Sequence, residues 1–212
     1  MTIIIMVRNI IFDLGGVIVT LDFGRALERF RQLGVADIEE RLNPYRQSGF
    51  FGDLELGKTS EEEFRFQLSR LVGRDVGWEE CQHCWLGFMK EVPRRKLDHL
   101  RRLRSEGYRL ILLSNTNGFV ARWTDSEFAY GTPLGDYFDA LYRSFEVGMM
   151  KPDERLFRHV LAQERIQPQE CVFIDDGARN CMAASELGMT TLCPKNGEDW
   201  MPAFRLLLAN GK

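Results

Sequence analysis

The sequence has no excess of either charge and no long hydrophobic run. Its 212 residues carry 28 lysines and arginines against 31 aspartates and glutamates, so a basic surface for nucleic acid is not expected. Clusters such as Arg94-Arg95-Lys96 are interpreted as solvated helix faces. No apolar segment approaches the roughly 20 residues that cross a bilayer, and the apolar stretch at residues 1–6 lacks a signal-peptide cleavage site. We therefore expect a cytoplasmic protein that binds neither nucleic acid nor membrane. Met1 and Met6 are both possible starts, and the choice between a monomer and a homodimer stays open.

Cysteine and histidine are too few, and too widely spaced, to form a complete soft-metal site. Residues 81–84, Cys-Gln-His-Cys, resemble half of a zinc site, but no second half with suitable spacing occurs. In a protein that is not secreted, the five cysteines are interpreted as reduced thiols that pack in hydrophobic surroundings. A disulfide framework and a zinc module are therefore not favoured.

The hydrophobic segments that are present predict a parallel sheet covered by helices. Continuous apolar runs are typical of strands buried on both faces, and here they alternate with segments of helical periodicity. Strands are predicted at 8–12, 109–113, 140–143, 171–174 and 189–193, and helices at 94–106, 153–164 and 178–187. This pattern indicates an α/β fold, a three-layer Rossmann-like core with about five parallel strands.

Residues 20–93 interrupt this alternation. They contain no comparable strand but several amphipathic segments, one of which opens with the capping box Ser60–Glu63. A further helix is predicted at 78–90, and residues 49–57, with their three glycines, are predicted as a loop. We therefore predict two domains, a helical insert at 20–93 and a core formed by 1–19 and 94–212, and we refer to residues 20–93 as the insert.

Polar side chains follow three of the predicted strands at the point where each ends. Asp13 follows the first strand, Ser114 and Asn115 follow the second in chain order, and Asp175 and Asp176 follow the fourth. Because parallel strands end at one edge of a sheet, these groups are expected to converge. Adjacent carboxylates are costly unless a cation neutralises them, and oxygen ligands of this kind suit Mg²⁺.

A positive charge is expected at the same edge. Lys151 lies just before Pro152, which is predicted to begin the first turn of the helix that follows. A carboxylate nucleophile, a hydroxyl, an amide, a lysine and an acidic pair around Mg²⁺ are the groups that phosphoryl transfer through an aspartyl-phosphate requires. The residues alone thus favour this chemistry, with Asp13 as either nucleophile or metal ligand.

Taken together, these segments resemble the four motifs of the haloacid dehalogenase (HAD) superfamily. Within it the sequence is similar to the bacterial α-D-glucose-1-phosphate phosphatase group, and the insert corresponds to a helical cap placed after the first motif. The motifs are Ile11–Val17, Leu112–Asn117, Lys151-Pro152 and Phe173–Asp176. The resemblance implies a Mg²⁺-dependent phosphomonoester hydrolase that acts on a small phosphorylated metabolite, with a sugar phosphate favoured.

The resemblance also implies a role for each motif residue. Asp13 would be the nucleophile, and Lys151 would bridge Asp13 and the phosphoryl group. Ser114 and the Asn115 amide would hold the phosphoryl oxygens. The implied Mg²⁺ ligands are Asp13, the carbonyl of Gly15, Asp175 and Asp176.

One position departs from the family pattern. Most phosphatases of the family have, two residues after the nucleophile, an aspartate that protonates the leaving group, whereas this chain has Gly15. Another acid could substitute, with Asp22, Glu55 and His83 as candidates, or the leaving group could need little protonation. Two alternative functions also follow, a metal-independent 2-haloacid dehalogenase and a catalytically impaired HAD domain that binds a phosphorylated ligand or partner.

Overall fold

The computed structural model describes residues 7–43 and 46–210, so the choice between Met1 and Met6 lies outside the described residues. The strands are, in chain order, β1 (Asn9–Phe12), β2 (Thr20–Leu21), β3 (Leu42–Asn43), β4 (Arg46–Gln47), β5 (Met89–Glu91), β6 (Arg109–Ser114), β7 (Ala140–Arg143), β8 (Cys171–Ile174) and β9 (Thr190–Leu192). The helices are α1 (Phe23–Leu33), α2 (Ile38–Arg41), α3 (Phe50–Glu55), α4 (Glu61–Val72), α5 (Trp78–Trp85), α6 (Arg94–Ser105), α7 (Gly118–Ser126), α8 (Ser144–Val147), α9 (Glu154–Glu164), α10 (Ala178–Glu186) and α11 (Met201–Asn210).

The main sheet has five parallel strands in the order β7-β6-β1-β8-β9. Strand β1 lies at the centre, and Ile11 pairs in register with Ile111 of β6 and Phe173 of β8. The chain adds strands on one side of β1 and then on the other, so the order reverses between β1 and β8, where sheets of this type bind their ligands. The predicted five-stranded α/β core is confirmed.

Alternate residues of β1 explain why helices cover both faces of the sheet. Phe12 packs into one buried hydrophobic cluster, together with leucines of α6 and Trp200 near the start of α11. Ile11 points to the opposite face and packs with Phe157 of α9. Each fully buried side chain of this size contributes about 1.5–3 kcal/mol, so the sheet is a rigid base for the groups at its carboxyl edge.

The predicted loop at 49–57 is wrong, because residues 50–55 form helix α3. Its glycines suggested a turn, but Gly49 instead precedes the helix with a φ of 58°, and Asp53 donates its N–H to the Gly49 carbonyl at 3.0 Å. Phe51 and Leu54 then bury one face of the helix. Tertiary packing of these side chains outweighs the weak local preference of glycine.

Two predicted helix ends also differ from the structure. The α-helix predicted at 78–90 ends at Trp85 and is followed by a single 3-10 turn, Leu86–Phe88, because residues 89–91 pair with β2 as strand β5. Pro152 does not begin a helix, since Asp153 is the N-cap of α9 and its side chain accepts the Arg155 N–H. Pairing and capping decide these boundaries more than helical periodicity does.

The antiparallel pair β2–β5 lies where the chain enters and leaves the insert. Within the insert the buried side chains form a separate cluster, whose largest aromatic members are Phe30, Phe51, Phe64 and Trp85, joined by Phe119 of α7. The division at 20–93 therefore stays our proposal for the domain boundaries. None of the helices in the described ranges is long and apolar enough to cross a membrane.

Candidate active site

Asp13 lies directly beyond the central strand, and its backbone fixes it there. Its N–H donates to the Ile174 carbonyl at 2.9 Å, which extends the β1–β8 ladder by one residue. The side-chain oxygen Oδ1 accepts the Leu14 N–H at 2.7 Å and lies 2.9 Å from the Lys151 ammonium. Oδ2 accepts no hydrogen bond from the described residues, and the side chain keeps 14% of its surface exposed. The carboxylate is thus oriented by Oδ1 and open at Oδ2.

Lys151 is held between two carboxylates. Its ammonium lies 2.6 Å from Asp175 Oδ2, and its side chain is only 1% exposed. Burial acts to lower the pKa of Lys151, but the charges of Asp13 and Asp175 outweigh it and raise the pKa above its ordinary value. Asp175 is itself fixed, because its Oδ1 accepts from the Gly177 N–H and the Asn180 amide at 2.8 and 2.9 Å. A permanent positive charge therefore lies beside Asp13.

Three carboxylates nevertheless surround Lys151, which forms ion pairs with only two of them, Asp13 and Asp175. Ligand oxygens of Asp13, Asp175 and Asp176 all lie within 4.8 Å of one another. Burial, followed by the neighbouring carboxylates, raises the pKa of Asp13 to about 7, although Lys151 opposes the shift. Burial and then Asp175 raise the pKa of Asp176 to about 6. The site lacks positive charge, and its hard oxygen donors fit Mg²⁺.

The turn at Ser114-Asn115 holds the backbone of Lys151 in place. The Asn115 side chain makes a two-point contact with the Lys151 backbone: its amide donates to the carbonyl at 2.9 Å, and its Oδ1 accepts the N–H at 2.8 Å. The amide that the sequence predicts to hold a phosphoryl oxygen therefore positions Lys151 in this structure. Ser114 is buried, and its hydroxyl makes only a long contact of 3.4 Å with the Asn115 carbonyl.

Two further residues support the site through contacts that the sequence does not show. Lys96 was interpreted as part of a solvated helix face, but it is fully buried and donates from Nζ to the Val17 carbonyl at 2.6 Å, which holds the loop after Asp13. Asn117 caps α7 by accepting the Val120 N–H, and its Nδ2 is buried without a partner among the described residues. Lys96 has no sequence signal for this role, whereas Asn117 is the last residue of the second motif.

The structure separates the three candidates for the missing acid. A side chain at Gly15 would meet Leu21, whose Cδ1 lies 3.0 Å from the position of an added Cβ. Asp22 accepts the Arg25 N–H as the N-cap of α1. His83 is exposed and lines a cavity of about 460 Å³ whose described lining consists of insert residues alone. Glu55 is buried at the end of α3, and Gly57, two residues on, packs against the Phe145 backbone of α8, which directly follows β7 at the carboxyl edge of the sheet.

The Gly16 backbone lies directly against the Asp176 carboxylate, so the variant Gly16→Ala should weaken Mg²⁺ binding. Its φ is +74°, and an added Cβ would lie 2.0 Å from Asp176 Oδ2. We expect the Mg²⁺ concentration for half-maximal activity to rise by roughly 10–100-fold, the range for disturbed support of metal ligands. The control is Gly73→Ala, which has a φ of +76° but open space around the Cβ position. An equal effect in both variants would contradict this account of Gly16.

The fold and the site define an α/β enzyme whose acidic cluster and lysine meet at the carboxyl edge of a parallel sheet. Residues 7–188 match the family of haloacid dehalogenase-like hydrolases. The chain belongs to this family, and the family predicted from the four motifs is confirmed. It is therefore a hydrolase.

Similar proteins cover almost the whole chain. A D-ribitol-5-phosphate phosphatase of Bacteroides thetaiotaomicron is 45% identical, over 96% of this chain and 99% of its own length. An HAD-like family hydrolase from Porphyromonas gingivalis is 45% identical, with a TM-score of 0.91 over 96% of this chain and 98% of its own. An HAD family enzyme of B. thetaiotaomicron, crystallised as an aspartate-to-alanine mutant with magnesium and inorganic phosphate, is 37% identical, with a TM-score of 0.88 over 94% and 99% of the two chains.

Proposed function

We propose that this hydrolase is a Mg²⁺-dependent phosphatase that acts on the phosphate ester of a small sugar or sugar alcohol through an aspartyl-phosphate on Asp13. The observation that carries the proposal is the Asp13 carboxylate, which Lys151 holds at 2.9 Å beside a cluster of hard oxygen ligands. A fixed nucleophile next to a permanent positive charge suits attack on an anionic phosphoryl group.

Relatives support both the class of activity and the substrate. The phosphatase predicted from the sequence agrees with the name of the relative that is 45% identical, and the predicted Mg²⁺ agrees with the magnesium and phosphate crystallised with the 37% identical enzyme. We take the substrate class from the first of these, so that a five-carbon sugar alcohol phosphate such as D-ribitol-5-phosphate becomes the first candidate.

The metal ligands we propose are Asp13, Asp176 and the Gly15 carbonyl, with Asp175 as a weaker member. Both oxygens of Asp175 already accept hydrogen bonds from the protein, which favours contact through water over direct ligation. When bound, Mg²⁺ would neutralise the carboxylates and draw negative charge from the phosphoryl oxygens.

Each motif residue has a separate role in the proposed reaction. Asp13 attacks phosphorus, the bond to the leaving oxygen breaks, and water later attacks the phosphorus of the aspartyl-phosphate and releases Asp13. Lys151 neutralises charge on Asp13 and on the phosphoryl group, while Asn115 holds the Lys151 backbone in place. The Ser114 hydroxyl and the backbone N–H of Asn115 bind phosphoryl oxygens, and closure of the insert excludes bulk water.

Removal of divalent metal should abolish turnover. Treatment with EDTA leaves three crowded carboxylates with one lysine, and we expect no hydrolysis of para-nitrophenyl phosphate until Mg²⁺ is added back. A phosphate-release assay before and after addition of Mg²⁺ measures this effect. Hydrolysis that persists in EDTA would contradict the proposal, and halide release from a 2-haloacid under the same conditions would favour the dehalogenase alternative.

We also propose a cytoplasmic location. The five cysteines are free thiols in the described residues, four of them buried, which suits a reducing compartment. Cys81 and Cys84 are buried while His83 is exposed. This arrangement suits a packed helix and does not suit a metal site shared by the three residues.

A small anionic metabolite is the partner we propose. The net charge of −3 does not attract an anion, so Mg²⁺ and Lys151 would supply the local positive charge that does.

A further inference from the structure

Glu55, the last residue of α3 in the insert, has a buried carboxyl that the chemistry described so far does not use. The residue is 6% exposed, and its Oε2 has no hydrogen-bond partner among the described residues. Leaving a buried polar atom without a partner costs about 1–3 kcal/mol in general. A carboxyl in this condition is unfavourable for stability, and a ligand that enters the site could supply its partner.

The insert brings this carboxyl against the catalytic core. Two residues further on, a Cβ added to Gly57 would lie 2.0 Å from the carbonyl oxygen of Phe145 in α8, so the end of α3 packs tightly on the core backbone. At the next helix, a Cβ added to Gly118 would overlap the Glu61 side chain. The insert thus contacts the core at Gly57 and at Glu61, two places that follow Glu55 along the chain.

The electrostatic surroundings keep Glu55 distinct from the other carboxyls of the site. Burial, and then the charge of Asp13, raise the pKa of Glu55 to about 8, and no described cation opposes them. Asp13 and Asp175, in contrast, contact Lys151 directly. At neutral pH the Glu55 carboxyl therefore holds a proton, which a buried carboxyl can donate to a leaving group.

The reaction needs such a donor when the leaving group is an alcohol. An alkoxide is a poor leaving group, and a positioned acid accelerates its departure by typically about 10²–10⁴-fold. Gly15 carries no side chain, Asp22 is occupied as a helix cap, and His83 is exposed in a cavity lined by the insert. Asp13, Asp175 and Asp176 are ion-pair partners of Lys151 or candidate metal ligands. Glu55 is neither, so its carboxyl is available to donate a proton.

We propose that Glu55 is the general acid of this enzyme and protonates the leaving oxygen of an alkyl phosphomonoester. This assignment rests on the proposed function. As the Asp13 oxygen bonds to phosphorus, the bond from phosphorus to the alkyl oxygen breaks, and that oxygen takes the Glu55 proton and leaves as the alcohol. The Glu55 carboxylate then takes a proton from the water that attacks the aspartyl-phosphate. This second step releases phosphate and restores both carboxyl groups.

The variant Glu55→Gln tests this role through its dependence on the leaving group. We expect kcat/KM for D-ribitol-5-phosphate to fall by roughly 10²–10⁴-fold. With para-nitrophenyl phosphate we expect a fall of less than about 10-fold, because nitrophenolate departs without a proton. The matched control is Glu79→Gln, which alters an exposed carboxyl of the insert and should leave both values unchanged. Thermal melting with and without Mg²⁺ checks that each variant folds.

Glu55→Asp, which keeps a carboxyl on a shorter side chain, should recover part of the loss with D-ribitol-5-phosphate. Equal losses with the two substrates, or no loss with D-ribitol-5-phosphate, would overturn the assignment of Glu55 and leave the proposed function intact. A different result would show that the proposed function itself is wrong. The wild-type protein would then hydrolyse neither substrate in Mg²⁺, and the assignment of Glu55 would be wrong as well.

Discussion

The variant Asp13→Asn is expected to lose phosphatase activity by roughly 10³-fold or more, because an amide cannot serve as the nucleophile. An asparagine Oδ1 can still accept the Leu14 N–H that orients this side chain at 2.7 Å. The geometry of the turn should therefore survive while the chemistry fails. Turnover of para-nitrophenyl phosphate in Mg²⁺ measures the loss, with the aryl ester chosen so that proton donation does not limit the rate.

Stability separates this loss from misfolding. Burial and the neighbouring carboxylates raise the pKa of Asp13 from 3.8 to about 7, so without metal its ionisation lowers the free energy of unfolding progressively across that pH range and by a constant amount above it. Removing the charge should leave the metal-free melting temperature equal or higher. The control Asp98→Asn changes an exposed carboxylate on α6, 60% exposed, and should keep full activity. Undiminished turnover by Asp13→Asn would refute the assignment of the nucleophile.

Replacing Lys151 with methionine is expected to have the second largest effect. Lys151 is the only described cation in contact with both Asp13 and Asp175, and loss of one such electrostatic contact typically lowers kcat by about 10²–10³-fold. Methionine preserves the length of the side chain and its apolar packing. Steady-state rates in saturating Mg²⁺ measure the catalytic part of the effect.

The same variant should destabilise the metal-free protein. Removing one partner of a buried ion pair costs about 3–5 kcal/mol, and here it leaves the carboxylates of the site without their cation. Because Mg²⁺ neutralises the same carboxylates, added Mg²⁺ should restore part of the lost unfolding free energy. Denaturation with and without Mg²⁺ tests this point. Unfolding free energies that match the wild type in both conditions would show that Lys151 does not neutralise the cluster.

The sequence predicts the core of the site because its signals are local. A continuous apolar run followed by a carboxylate marks both Asp13 and Asp175, and parallel strands must bring such ends together. The structure accordingly collects both residues with Asp176 within 4.8 Å. The number of parallel strands and the family follow from the same segments, whereas the order of the strands does not.

What the sequence does not predict depends on contacts between distant elements. The Asn115 side chain holds the backbone of Lys151, 36 residues away, and no local pattern shows that the amide is occupied. Lys96 belongs to a run of basic residues, yet it is buried against Val17. Helix α3 was predicted as a loop because its glycines are visible in the sequence, whereas the packing of Phe51 is not. Glu55 accordingly stood as one of three equal candidates until burial distinguished it.

The central claim, a covalent aspartyl-phosphate on Asp13, is tested most directly by trapping that intermediate. The enzyme is mixed with para-nitrophenyl phosphate and Mg²⁺, quenched rapidly in acid, reduced with borohydride and analysed by peptide mass spectrometry. Borohydride converts a phosphorylated aspartate to homoserine, and we predict this conversion at Asp13 alone, with none in the absence of Mg²⁺. Product that accumulates while Asp13 remains unmodified throughout turnover, or conversion at a different aspartate, would contradict the account.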